Sequence, residues 1–125
     1  MFKRKILSKL EAWKRDERHK PLILRGARQV GKTTVVNEFG SQFDNYLYFN
    51  LEMNESVRLF EMDIPLNDLV NMLFASLGKS QREGSTLIFI DEIQNSPKTI
   101  ALLRYFYEQR PDLYVIAAGS LLENL

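Results

Sequence analysis

Eight consecutive residues, Gly26-Ala27-Arg28-Gln29-Val30-Gly31-Lys32-Thr33, match the pattern G-x-x-x-x-G-K-[ST] at every fixed position. The spacing has a chemical reading. A loop of this length between a strand end and a helix start wraps backbone N–H groups around a β-phosphate, and the helix N-terminus adds partial positive charge. Glycine at 26 and 31 permits dihedrals and a close backbone approach that a Cβ would oppose. The ammonium of Lys32 reaches β and γ oxygens, and the hydroxyl of Thr33 suits Mg²⁺. The backbone of Ala27, Arg28, Gln29, Val30 and Thr34 completes the expected cradle, and the Arg28 side chain reads equally as a second cation for a γ-phosphate or as a solvent-facing arginine. From ordinary residue frequencies such a match arises by chance about 4 × 10⁻⁵ times per position, so coincidence is a poor explanation. A second Gly-Lys-Ser, Gly78-Lys79-Ser80, has leucine where the first glycine belongs and no strand before it. It reads as a helix end followed by a polar loop.

Two further segments carry candidate chemistry. Leu87-Ile88-Phe89-Ile90 runs into Asp91-Glu92, 59 residues beyond Lys32. Adjacent carboxylates at the end of a buried strand repel each other and lose hydration unless a cation sits there. Asp91 is therefore expected to hold Mg²⁺ through water and Glu92 to act as general base on an attacking water. Gly119-Ser120 closes the last apolar run, where Ser120 is a candidate to sense the γ-phosphate or orient that water. Lys32, Glu92 and Ser120 are the candidate catalytic residues, with Thr33 and Asp91 the metal ligands.

The elements that must position these residues are legible from periodicity. Phe2, Ile6, Leu10 and Trp13 form one helical stripe within a basic segment. Leu22–Arg25, Tyr46–Asn50, Thr86–Asp91 and Leu113–Ser120 read as buried strands. Helices are expected after Gly31, with Gly40 as the stop, from Pro65 to Gly78, and from Pro97, capped by Ser96, to Pro111. The stretch from Glu52 to Asp63 reads as partly helical. Strands alternating with helices, each strand a continuous apolar run, predict an α/β fold with a mostly parallel sheet covered on both faces. His19, alone in a polar stretch before Pro21, is expected on the surface.

Composition narrows the class. The chain has 125 residues, 45% apolar and 26% charged, with no cysteine. These are globular proportions, enough for one domain. Disulfides, thiolate metal sites and cysteine nucleophiles are excluded. No apolar run approaches the roughly 20 residues of a membrane span, and the basic start lacks the apolar core and cleavage site of a secretory signal. The expected location is the cytoplasm, whose reducing conditions fit a chain without cysteine. Net charge is +1, but residues 1–32 carry +8 and residues 33–125 carry −7. A basic first quarter suits nucleic acid, an acidic partner or a phosphate ligand, or a merely solvated helix face.

Taken together, GARQVGKTT, LYFNLE, LIFIDEIQ with its proline-started helix, and the terminal AAGSLL resemble the prokaryotic AAA-type ATPases of the AAA_14 family. The resemblance spans nearly the whole chain. It implies a three-layer P-loop NTPase fold with sheet order 5-1-4-3-2, ATP and Mg²⁺ as cofactors, and a C-terminal domain of unknown function, DUF4143, as partner. Only four strands are found before Leu125. The expectation is therefore an N-terminal fragment, residues 1–125, lacking strand 5, the helical lid and an arginine finger, prone to self-association and weak or inactive in hydrolysis compared with the full-length protein. An ATP-hydrolysing module is the first reading, favoured by Glu92. A nucleotide-dependent switch with little turnover is the alternative. No Asn-Lys-x-Asp segment supports a GTPase, no arginine-rich insert supports a small-molecule kinase, and Asp91-Glu92-Ile93-Gln94 stands too close to Lys32 for the helicases whose motif it resembles.

Overall fold

The computed structural model describes residues 2–26 and 31–120, without the side chain of Phe2. The order of elements is α1 (Phe2–Arg15), β1 (Leu22–Arg25), α2 (Lys32–Gly40), β2 (Asn45–Asn50), α3 (Asn54–Phe60), α4 (Leu66–Ser76), β3 (Thr86–Asp91), a 3₁₀ turn (Ile93–Asn95), α5 (Pro97–Gln109) and β4 (Tyr114–Gly119). The four strands form one parallel sheet in the order β1-β4-β3-β2. This is the predicted order over the strands described, with β4 inserted between the loop strand and the acidic strand.

Alternation along the strands divides the core into two. Ile88 and Ile90 of β3 join Leu47, Phe49, Val115 and Ala117 on one face, beneath α3, α4 and α5. Leu87 and Phe89 face the other way, with Ile116 and Ala118, beneath α2 and α1. All six residues of β3 are buried, as expected for a strand covered on both faces. Burial of a side chain such as Phe89 contributes about 1.5–3 kcal/mol. The result is a three-layer α/β fold.

Local signals explain most element ends. Ser96 caps α5 by accepting a hydrogen bond from the Thr99 N–H, with Pro97 in the first turn. Pro65 stands just ahead of α4. Backbone bonds from Gly78 N–H to Ala75 C=O and from Lys79 N–H to Phe74 C=O close that helix. The second Gly-Lys-Ser is thus a helix terminus and polar loop, as read. On α5 the buried side chains are Thr99, Leu103 and Phe106, and Tyr107 is exposed.

Two expectations are corrected. Gly40 does not stop α2. It lies within the helix, which is capped by Ser41. A Cβ there would lie 2.6 Å from the Tyr46 ring, so the position calls for close approach, not left-handed backbone. His19 is buried rather than exposed. Its ring stacks on Tyr114 at 3.8 Å between centroids, with Trp13 edge-on to both. Its two nitrogens lie 3.1 Å from the carbonyl oxygens of Asp16 and Leu113. This cluster ties the turn after α1 to the start of β4, and the Tyr114 hydroxyl donates to the Lys14 carbonyl on the same side. No helix among the described residues is long and apolar enough to cross a membrane.

Candidate functional site

The parallel sheet carries the C-terminal ends of its strands to one edge of the molecule, where ligands bind in open α/β sheets. At that edge β1 ends at Arg25 and runs into Gly26, and α2 begins after Gly31. Both glycines have positive φ, +122° and +74°, conformations that L side chains rarely adopt. A Cβ at either would meet no atom within 4 Å, so the requirement at both is backbone conformation rather than space. Among the described residues no side chain caps the start of α2, and the first N–H groups of a helix are the ones that suit an anion. Ala27, Arg28, Gln29 and Val30 lie outside the described residues.

Lys32, the first residue of α2, is buried, and its Nζ donates to the Gly26 carbonyl at 2.8 Å. The ammonium is thus held at the residue that follows β1. Thr33, next along, donates from Oγ1 to Asp91 Oδ2 at 2.7 Å. That hydrogen bond joins the start of α2 to the end of β3, 58 residues away. The expected hydroxyl and carboxylate ligands of one cation therefore stand side by side. Thr34 faces solvent, and its side chain makes no hydrogen bond among the described residues. Only its backbone suits the expected role.

Tyr48 is a site residue that motif reading missed. Its hydroxyl donates to the same Asp91 Oδ2 at 3.0 Å, while Asp91 Oδ1 accepts the Glu92 N–H at 3.0 Å. Register puts it there: β2 runs beside β3 with Tyr48 opposite Phe89 and Asn50 opposite Asp91. Burial, and then the Asp91 carboxylate, raise the Tyr48 phenol above its ordinary value. Tyr46 is raised likewise by burial, with Tyr48 and Asp91 adding to the effect. The signal available in the sequence was the aromatic alternation of Tyr46 and Tyr48, which reads equally well as strand packing.

Glu92 is buried and has φ +54°, the sole positive value at a non-glycine among the described residues. Such backbone costs of the order of 1–3 kcal/mol and collects at functional sites. Gln94 Nε2 donates to Glu92 Oε1 at 2.8 Å. The other amide atom, Gln94 Oε1, is buried with no hydrogen-bond partner, an acceptor left over beside the carboxylate. Ser120 follows the last residue of β4, half-buried, on the strand between β1 and β3. Its side chain makes no hydrogen bond among the described residues. The structure therefore gathers Gly26, Gly31, Lys32, Thr33, Asp91 and Glu92, adds Tyr48 and Gln94, and puts Ser120 at the end of the strand between the two motifs.

Comparison with known proteins agrees with this geometry. No curated protein sequence matches the chain. Among solved structures, C. elegans PCH-2 is similar with a TM-score of 0.60 at 14% identity, over 98% of this chain and 38% of that one. The Aeropyrum pernix ORC1 protein, solved in complex with DNA, is similar with a TM-score of 0.62 at 17% identity, over 98% of this chain and 39% of that one. At these identities the likeness establishes the fold, and the chain spans less than two-fifths of either protein. The model of the AAA_14 family, an AAA domain, matches residues 18–125, beginning after α1. With that match over most of its length and the P-loop fold on which its motifs sit, the chain belongs to the AAA_14 family of AAA domains.

Proposed function

We propose that this chain is an Mg²⁺-dependent ATP-binding and ATP-hydrolysing module. The observation that carries the reading is the 2.7 Å hydrogen bond between Thr33 and Asp91. It sets a hydroxyl and a carboxylate, both hard oxygen donors suited to Mg²⁺, beside a loop whose glycines and helix start suit a phosphate. Thr33 and Asp91 would hold the ion. Bound there, Mg²⁺ would neutralise charge on the β and γ oxygens. The chain's own residues do the rest. Lys32 exchanges the Gly26 carbonyl for phosphate oxygen, Gly31 and the start of α2 offer backbone N–H groups, Tyr48 orients Asp91, Glu92 accepts a proton from the attacking water, and Ser120 orients that water. ATP over GTP rests on the family, as no residue here reads a base.

The Gln94–Glu92 hydrogen bond favours a second reading. A base held by an amide is at rest, and a module that never releases it would be a nucleotide-dependent switch. The two readings separate in steady-state phosphate release with Mg²⁺, comparing the native chain with Glu92→Gln. Hydrolysis predicts turnover that falls by about 10²–10⁴ in the variant while ATP binding is kept. Equal, negligible rates in both would favour the switch.

A further inference from the structure

The outward face of α1 carries cations and no acid. The helix turns Leu10 and Trp13, flanked by Ile6 and Leu7, toward α2 and the sheet. The opposite face presents Arg4, Lys5, Ser8, Lys9, Ala12 and Arg15, all exposed. Charges on the flanks are engaged within the protein. Lys3 pairs with Glu38 at 3.2 Å, Lys14 Nζ donates to the Gln42 carbonyl and lies over the Phe43 ring, and Glu11 accepts from Gln42. Among the described residues, the side chains of Arg4, Lys5, Lys9 and Arg15 enter no ion pair or hydrogen bond. The two residues at the middle of the face, Ser8 and Ala12, are small and let a flat or grooved surface come close.

We propose that this face docks on the phosphate backbone of duplex nucleic acid, without reading bases. Charge complementarity argues for a polyanion. The first and last of the four cations, Arg4 and Arg15, stand 11 positions apart, about 16 Å of helix, a length over which a duplex presents about ten phosphates. A membrane surface fits less well. An interfacial helix buries an apolar face in the lipid, and the apolar residues of α1 are already packed inward. Single strands are bound by aromatic stacking, and the one aromatic side chain described on α1, Trp13, is turned inward against His19, Phe39 and Tyr114.

The test is fluorescence polarisation of the native chain with labelled duplexes of about two helical turns and unrelated sequences. Release of counterions from four phosphates gives a slope of log K on log salt near −3.6, or roughly 150-fold weaker binding at about 200 mM than at 50 mM salt. The variant R4Q/K5Q/K9Q/R15Q is expected to lose most of this binding, and Ser8→Glu to weaken it through charge alone. The pair R58Q/R104Q, exposed cations elsewhere, should bind as the native chain does. Thermal unfolding of each variant checks that it folds. Three results would each overturn the proposal: no salt-dependent binding by the native chain, equal binding by the α1 variants, or tighter binding to phosphatidylserine vesicles than to duplex.

Discussion

Asp91 is fixed by three hydrogen bonds, from the Thr33 hydroxyl, the Tyr48 hydroxyl and the Glu92 N–H. Two of these donors belong to neighbours in space rather than in sequence. A carboxylate so held has little rotamer freedom left to lose when a cation arrives. Tyr48→Phe deletes one bond while keeping the ring. The expected consequence is a Mg²⁺ requirement for ATP binding raised by roughly 2- to 12-fold, the worth of one hydrogen bond, with nucleotide affinity at saturating Mg²⁺ little changed. A Mg²⁺ titration of ATP binding reads this directly, and an unaltered midpoint would remove Tyr48 from the site. The contrast between Thr33 and Tyr48 shows what a sequence carries. Thr33 is legible because its role is set by the residues immediately before it. Tyr48 acquires its role from the register of β2 on β3, and His19 its burial from Trp13 and from Tyr114, 95 residues away. Neither juxtaposition leaves a local mark.

At the scale of elements, sequence and structure agree where one local cause dominates. Continuous apolar runs became strands, Ser96-Pro97 became a helix start, and Leu69, Val70 and Leu73 became the buried stripe of α4. Gly40 was misread because a glycine near a helix end has two possible causes, left-handed backbone or close packing, and pattern alone does not separate them. The Tyr46 ring decides for packing. Its hydroxyl donates to Asn37 Oδ1 within the same helix, so the ring has little freedom to retreat. Gly40→Ala should gain about 1 kcal/mol in helix propensity but overpack against the ring at about 1–3 kcal/mol. A net loss of about 1 kcal/mol is expected, measured as a lower urea midpoint at unchanged m-value. A more stable variant would show that the ring moves aside.

For the whole molecule, the sheet treats its two edges differently. At the β2 edge, Lys79 Nζ donates to the outward Tyr46 carbonyl, a cation placed where it discourages pairing. At the other edge, among the described residues, β1 pairs with β4 alone, and Leu22, Ile23 and Leu24 are half-buried. An apolar strand with one side open invites a second chain. Concentration-dependent association of this 125-residue chain is expected in light scattering after size exclusion, and a monomer across the micromolar range would contradict it. The fold as a whole was legible because each layer repeats the same signal, strand then helix, and because the phosphate loop and the acidic strand are contiguous motifs. The central claim, that these motifs form a nucleotide site, rests most heavily on Lys32, a buried residue whose ammonium donates to the Gly26 carbonyl. Calorimetric titration with ATP and Mg²⁺ of the native chain and of Lys32→Ala tests it. Loss of a charge-assisted contact worth about 2–3 kcal/mol predicts affinity lower by roughly 30- to 150-fold in a variant that still folds. Affinity within about threefold of the native chain, less than 1 kcal/mol, would contradict the account.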